Sequence, residues 1–179
     1  MDAARLRLDF PLYDSENKDV IYLDNACQTL RPKQVIAAMD EYYYQFPACG
    51  GRSIHRLATQ VSLKIDEARE KIAAFIGCAP RNIIFTKNCT EALNLAAKGY
   101  PFAKGSAVLT TDLEHNSNHV PWMSSRLQHK FVRTPASGLF DFNAYQQQLT
   151  KDVSVVSMVH TNNVTGTTLP ARAIISAAH

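Results

Sequence analysis

The segment that most limits the possible folds is residues 83–97, where a short apolar run is followed by polar residues and then by a helical pattern. Ile83, Ile84 and Phe85 are β-branched or aromatic, which predicts a buried strand. Good helix formers occupy residues 91–97, with apolar side chains at helical spacing, and they predict a helix. The segment therefore predicts a strand joined to a helix by a short polar loop.

That loop consists of Asn88, Cys89 and Thr90. Backbone N–H groups at the start of a helix have no intrahelical partner, and the helix dipole adds positive charge beside them. Together with the Thr90 hydroxyl they predict an anion site, whose usual occupant is phosphate. A Thr N-cap with Glu91 in the first turn explains the same residues without a ligand, and this segment taken alone favours that simpler interpretation.

Strands and helices alternate along the rest of the chain. Strands are predicted at residues 20–23, 107–111, 130–133 and 153–159, and helices at residues 32–44, 59–76, 120–128, 142–149 and from 170 onward. The run at 153–159 is continuously apolar, which is typical of a strand buried on both faces of a parallel sheet. The pattern predicts an α/β fold, in which helices cover a mostly parallel sheet, preceded by an N-terminal arm at residues 1–20.

Polar clusters follow three of the predicted strands, at residues 88–90, 112–119 and 160–163. In open α/β sheets the carboxyl ends of the strands line one ligand crevice, so these clusters are expected to share a site. His115 and His119 have a spacing that occurs in metal sites, but no third ligand is evident beside them. No metal is therefore predicted.

Two loops outside these clusters carry further polar groups. Asn25 and Ala26 follow the first predicted strand, where a ligand contact and a simple turn are equally expected. Arg52 and His55 lie in a Gly-Gly loop ahead of the long helix. Such side chains can hold a carboxylate or a phosphate, and a solvated loop with a helix cap is an equal alternative.

Charge and composition exclude several classes of partner. The 19 basic and 16 acidic residues form no run or stripe, so neither nucleic acid nor a membrane surface is expected as a partner. No apolar run approaches the ~20 residues of a membrane span, and the N-terminus has no leader pattern. The four cysteines lack metal-ligand or disulfide spacing, which predicts reduced thiols and a cytoplasmic protein.

Five short motifs together resemble a known family. They are YLDNA, GRSIHR, TEALNL, LEHNSNHVPW and VHTNNVTGTTLP. Their order and approximate spacing are similar to those of class V aminotransferase-fold enzymes, the pyridoxal 5′-phosphate proteins that include cysteine desulfurases and selenocysteine lyases. The resemblance implies the large domain of the fold type I transferases over residues 21–179, a small amino-acid substrate, a homodimer and a possible sulfur-acceptor protein.

The resemblance also implies roles for individual residues. Cys89 and Thr90 match the pair that holds the cofactor phosphate, although Cys89 stands where the family has a hydroxyl residue. His115 matches the histidine that stacks on the pyridine ring, and Asn163 matches the asparagine that hydrogen-bonds the ring oxygen. Four further residues match loops near the substrate or the active-site entrance: Asn25, Ala26, Arg52 and His55.

The family's catalytic residues have no counterpart in this chain. By the resemblance, the aspartate that pairs with the pyridine nitrogen, the Schiff-base lysine and the persulfide cysteine belong beyond residue 179, and no lysine here has the matching context. The sequence is therefore interpreted as the front part of a cysteine desulfurase or selenocysteine lyase-like enzyme, inactive by itself. Another class V enzyme, such as an aminotransferase, and a truncated, non-catalytic binding or dimerisation protein are the alternatives.

Overall fold

The computed structural model describes residues 2–14 and 16–179. The chain divides into two compact units, Met1–Ile84 and Phe85–His179. The predicted boundary between an arm and a domain at residue 20 stays a prediction. Helices of the first unit are α1 (Ala3–Arg7), α2 (Lys33–Gln45) and α3 (Arg56–Ile76).

The two long helices of the first unit lie where the sequence predicts them. Pro32 is the N-cap of α2, as expected for a residue that cannot donate an N–H. The imidazole of His55 faces the Ala58 N–H at the start of α3, so this helix begins before the predicted residue 59. Gly77 ends α3 with a φ of 73°, a left-handed conformation that glycine adopts without strain.

The prediction of a strand at residues 20–23 is wrong, because the described structure has no strand there. Ile21 and Leu23 are 78% and 87% exposed, and the segment leads into a turn in which the Cys27 N–H bonds the Asp24 carbonyl. The apolar composition suits a strand, but an extended segment becomes one only where a neighbouring strand takes its backbone hydrogen bonds. No such neighbour lies beside it in the described part of this unit.

The second unit contains a parallel sheet in the order β2-β1-β3. Its strands are β1 (Ala107–Thr111), β2 (Gln128–Val132) and β3 (Val153–Val156). Its helices are α4 (Cys89–Gly99), α5 (Asn116–Met123), α6 (Phe142–Gln148) and α7 (Ala171–Ala178). The predicted α/β class, with helices around a parallel sheet, is confirmed.

Alternate residues of β1 point to opposite faces of the sheet, and each face has its own apolar core. Val108 packs with Ala97 of α4 and Trp122 of α5. Leu109, on the other face, packs with Tyr145 of α6 and Ile174 of α7. The central strand is therefore buried on both sides, with α4 and α5 together on one face.

Four further predicted elements differ from the structure, and the first is β2, which spans Gln128–Val132 rather than residues 130–133. Residues 83–85 lie outside the sheet, and Ile84 is 71% exposed, so the predicted buried strand is wrong for the same lack of a neighbouring strand. The helix predicted at residues 120–128 is displaced to Asn116–Met123, because His115 caps it and β2 already begins at Gln128. β3 ends at Val156 rather than 159 and is only half-buried, because it is an edge strand of this sheet.

Candidate functional site

The polar clusters of the second unit gather at the carboxyl edge of the sheet. Helix α4 leads into the start of β1, and α5 follows the end of β1, so both helices run opposite to the strand. Eleven residues of helix span roughly 16 Å, and five residues of strand span about 17 Å, so α4 is long enough to cover the strand. The N-termini of both helices therefore lie at the edge where β1 ends.

The start of α4 leaves two backbone N–H groups without a protein partner. Asn88, not Thr90, is the N-cap, and its Oδ1 accepts the N–H of Glu91 at 2.9 Å. The Asn88 carbonyl accepts the N–H of Ala92 at 3.2 Å. Within the described structure, the N–H groups of Cys89 and Thr90 at the first two helical positions remain unpaired, and both residues are exposed. These are the two N–H groups at which the sequence predicts an anion.

A carboxylate lies close to this pair of N–H groups. Glu91 reaches back to the backbone N–H of Lys87, with its Oε2 at 2.6 Å. This contact and the Asn88 cap together resemble a capping box, which fixes the first turn of the helix. The same negative charge opposes the binding of an anion at the helix N-terminus.

His115 is the N-cap of α5, and its ring orientation is fixed by its own helix. Its Nδ1 accepts the N–H of Ser117 at 3.1 Å and lies 2.9 Å from the Ser117 hydroxyl. Because a backbone N–H can only donate, Nδ1 is the acceptor and the ring proton of the neutral imidazole is on Nε2. The exposed ring therefore presents a flat face and one N–H outward.

The loop after β3 buries one asparagine and exposes the next. The Oδ1 of Asn162 accepts the N–H groups of Val164 and Thr165, both at 2.8 Å, and this residue is only 7% exposed. Its Nδ2 donates to the carbonyl of Leu113 at 2.8 Å. Asn163 is exposed, and its amide has no hydrogen-bond partner among residues 2–14 and 16–179. Asn163, which the resemblance predicts to contact the cofactor, is thus the asparagine whose amide is available to a ligand.

Behind these residues lies a buried polar network, which we define as Thr111, Glu114, Asn118, Trp122, Ser157 and Val159. Glu114 accepts from the Thr111 hydroxyl at 2.7 Å, from Asn118 Nδ2 at 2.9 Å and from the Val159 N–H at 2.9 Å. Asn118 Oδ1 in turn accepts from Trp122 Nε1 at 2.9 Å and from the Ser157 hydroxyl at 2.6 Å. The sequence does not predict this network. Its one visible signal is the i, i+4, i+8 spacing of Glu114, Asn118 and Trp122, of which Glu114 lies just before the start of α5.

The two histidines with metal-like spacing serve separate structural purposes. His115 caps α5, whereas Nε2 of His119 bonds the Thr111 carbonyl at 3.0 Å. His129 packs edge-on against His119 and stacks on Phe131, and burial, with a smaller effect of His119, lowers the pKa of His129. The described residues contain no group of three or more His, Cys, Asp or Glu side chains that could hold a metal.

The structure brings the cofactor candidates to one edge but forms no direct bond between them. Thr90 and His115 lie at the N-termini of α4 and α5, and Asn163 lies in the loop after β3. All three positions are at the carboxyl edge of the sheet. In the described structure no hydrogen bond joins these three side chains to one another. The substrate candidates all belong to the first unit and are exposed there, so their role stays a prediction: Asn25, Ala26, Arg52 and His55.

Comparison with known proteins identifies the family. The model of the aminotransferase class-V family matches residues 21–179. This chain belongs to that family. A probable cysteine desulfurase of Vibrio cholerae serotype O1 is 37% identical over 97% of this class V chain and 46% of its own length. A probable cysteine desulfurase of Methanothermobacter thermautotrophicus is 34% identical over 100% of this chain and 44% of its own length.

A solved structure supports the same assignment. The apo structure of a cysteine desulfurase from Thermococcus onnurineus NA1 superposes on this class V chain with a TM-score of 0.86 and 33% identity. The match covers 99% of this chain and 45% of that chain. The class V chain thus spans a little under half the length of the relatives that it matches. None of the helices described in it has both the length and the apolar character needed to cross a membrane.

Proposed function

We propose that this chain forms the cofactor-holding part of a pyridoxal 5′-phosphate-dependent cysteine desulfurase, which removes sulfur from cysteine. The observation that carries the proposal is the unpaired N–H pair of Cys89 and Thr90 at the sheet edge that also carries His115 and Asn163. The choice of cysteine as substrate is supported by relatives named as cysteine desulfurases that match nearly the whole chain.

The residues present fit the chemistry of this cofactor. Its phosphate suits the N–H groups of Cys89 and Thr90 and the Thr90 hydroxyl. Its flat ring suits the exposed imidazole face of His115, and its ring oxygen suits the free amide of Asn163 as a donor. When bound, the cofactor supplies an electron sink for the bonds that are broken in the amino acid.

In this proposal the chain's own residues bind the cofactor and orient its ring. A phosphate at a helix N-terminus gains about 1 kcal/mol, or ~2 where partly buried, so binding to this chain alone is expected to be weak and reversible. Ser117 holds Nδ1 of His115, which keeps the imidazole face in one orientation for stacking. We assign bond breaking to groups outside residues 1–179, which correspond to 46% and 44% of the length of two relatives.

The substrate and partner assignments are part of the same proposal. Arg52 is exposed, and its guanidinium can hold the carboxylate of an amino acid bidentately. His55 is expected beside it, and Asn25 and Ala26 are expected at the substrate loop. We also propose that the protein forms a homodimer and passes the sulfur to an acceptor protein.

The test is an NMR titration of the ¹⁵N-labelled chain with pyridoxine 5′-phosphate. This compound lacks the aldehyde of the cofactor, so it cannot react with lysine and reports only non-covalent binding. We expect it to shift the backbone signals of Cys89 and Thr90 and the side-chain signals of His115 and Asn163. Inorganic phosphate should shift only the backbone pair, and pyridoxine without phosphate should bind far more weakly. If neither phosphate compound shifts the Cys89 and Thr90 signals, the proposed function is wrong.

A further inference from the structure

The buried network lies directly beside both predicted ring contacts. Glu114 precedes His115, and Asn162 precedes Asn163. Each buried residue links the loop after β1 to the loop after β3 by a hydrogen bond. Glu114 accepts the N–H of Val159, and Asn162 donates to the carbonyl of Leu113. The two exposed side chains are therefore carried by a pair of loops that is cross-linked twice.

The chemistry of Glu114 indicates that the network does more than stabilise the fold. A carboxylate that is only 8% exposed is costly unless donors compensate its charge. No ion pair with Glu114 occurs among residues 2–14 and 16–179, and its compensation comes instead from a hydroxyl, an amide and a backbone N–H. An apolar side chain would fill the same space at lower cost. What the carboxylate adds is a fixed geometry, because donors from β1, α5 and the segment after β3 converge on it.

We propose that Glu114 is a positioning residue that sets the spacing between His115 and Asn163, and through it the fit of the site to an aromatic ring. This inference rests on the proposed cofactor function. The phosphate end of the site is less closely coupled to it, because Cys89 and Thr90 belong to α4, which in the described structure packs against Trp122 through Ala97 and makes no hydrogen bond to the network. Changes at Glu114 should therefore affect ring recognition more than phosphate recognition.

Glu114→Gln is the decisive change, because it keeps the size of the side chain while it removes the charge and replaces one acceptor by a donor. The Val159 N–H contacts both carboxylate oxygens, at 2.9 and 3.1 Å. Whichever oxygen the new amide group replaces, it therefore sets two donors against each other at Val159. We expect the Val159 N–H to exchange with solvent about tenfold faster, and the affinity for pyridoxine 5′-phosphate to fall about tenfold.

A second change should reverse this loss. In the double variant Glu114→Gln with Asn118→Asp, the donor and the acceptor exchange places and the total charge is unchanged. The new aspartate accepts from Gln at 114, and it still accepts from Trp122 and from the Ser157 hydroxyl, as Asn118 does at 2.9 and 2.6 Å. The 3.2 Å bond from Asn118 to the Ser157 carbonyl is lost, and the Val159 N–H keeps only its 3.1 Å bond to the other side-chain oxygen of residue 114. The double variant should recover ring binding, whereas a variant with general damage to the fold would not.

Asp141→Asn is the matched control. Asp141 caps α6 by accepting the N–H groups of Asn143 and Ala144 at 2.9 and 3.0 Å. The variant makes the same carboxylate-to-amide change at a residue outside the network. Asparagine is as good an N-cap as aspartate, so α6 should stay capped. This variant should bind pyridoxine 5′-phosphate and inorganic phosphate like the wild type.

The outcomes separate this inference from the proposed function. It is upheld if Glu114→Gln shifts the His115 ring and Asn163 amide signals in the ligand-free chain and the double variant returns them. It is overturned if those signals stay unmoved in Glu114→Gln, or if inorganic phosphate binding falls as much as ring binding. Should the wild-type chain bind no pyridoxine 5′-phosphate, the proposed function fails, and the ligand-free signals still decide the positioning role of Glu114.

Discussion

The ammonium group of Lys130 on β2 lies 2.8 Å from the carboxylate of Asp152, which directly precedes β3. Hydrogen bonds from Lys130 and then from Thr150 lower the pKa of Asp152 to about 2, from an ordinary value of 3.8. A carboxyl group with a lowered pKa in the folded state stabilises that state above its unfolded pKa. This stabilisation is lost as the pH falls from about 4 through 2.

We therefore expect Lys130→Met to reduce the dependence of stability on pH in that range. The effect should be small, because Asp152 is partly exposed and water screens the pair. Urea unfolding at pH 5, 3 and 2 measures it. Lys151→Met removes the same charge from the neighbouring residue and should leave the pH dependence as in the wild type. Identical curves for the two variants would show that Lys130 does not set the pKa of Asp152.

Glu91→Gln should strengthen phosphate binding at the start of α4. The carboxylate of Glu91 is held at the Lys87 N–H, near the free N–H pair, and its charge repels an anion there. Removing it should tighten inorganic phosphate binding by about threefold at low salt, and added salt should shrink the difference. Calorimetric or NMR titrations at two salt concentrations measure this. Weaker binding by the variant would mean that the anion does not sit at this helix start.

Thr90→Val and Cys89→Ala should differ although the two residues are neighbours. If the phosphate contacts are the backbone N–H groups and the Thr90 hydroxyl, the first change removes a hydrogen bond and should weaken phosphate binding about threefold to tenfold. The second change keeps both N–H groups and should alter the affinity by less than about twofold. Equal losses in both variants would contradict this geometry.

His129→Phe should flatten the dependence of stability on pH near neutrality. Burial, and to a lesser extent His119, lowers the pKa of His129 below 6.5, so the folded state binds this proton less readily than the unfolded state does. The free energy of unfolding should therefore fall as the pH drops below about 6.5 in the wild type. Phe keeps the stacking on Phe131 and removes the titration. Denaturant unfolding at pH 7.5 and 5.5 measures the difference, and exposed His160→Phe is the control that should keep the wild-type slope.

Tyr44→Glu should weaken the expected homodimer. Tyr43 and Tyr44 are 65% and 86% exposed on α2, and Met39 is 56% exposed, as expected for an interface that a second copy covers. A charge at Tyr44 should lower the association constant by at least about tenfold. Analytical ultracentrifugation measures the association constant, and Gln45→Glu adds the same charge at the next residue as a control. A wild-type chain that stays monomeric at high concentration would contradict the expected dimer.

The sequence predicts most of the second unit because its signals are local. The bounds of β1 agree with the prediction, since its residues are buried on both faces and end in a polar cluster. The helix start at residues 89–90 follows from general capping chemistry, although Asn88 rather than Thr90 is the cap. Local pattern does not predict the start of α5, because histidine is not among the usual N-cap residues.

What the sequence could not predict depends on distant parts of the chain. Residues 20–23 and 83–85 have strand composition, but whether such a segment pairs depends on a neighbour that local pattern does not reveal. The role of Glu114 depends on Val159, which is separated from it by 45 positions. The contrast between buried Asn162 and exposed Asn163 likewise depends on the distant carbonyl of Leu113.

The double cross-link between the two loops also sets when the site can form during synthesis. The bonds of Glu114 and Asn162 span 45 and 49 positions. Contacts between distant positions form late, because the intervening chain must first be ordered. We therefore expect His115 and Asn163 to reach their relative positions only after the segment from Val159 to Asn162 has been synthesised.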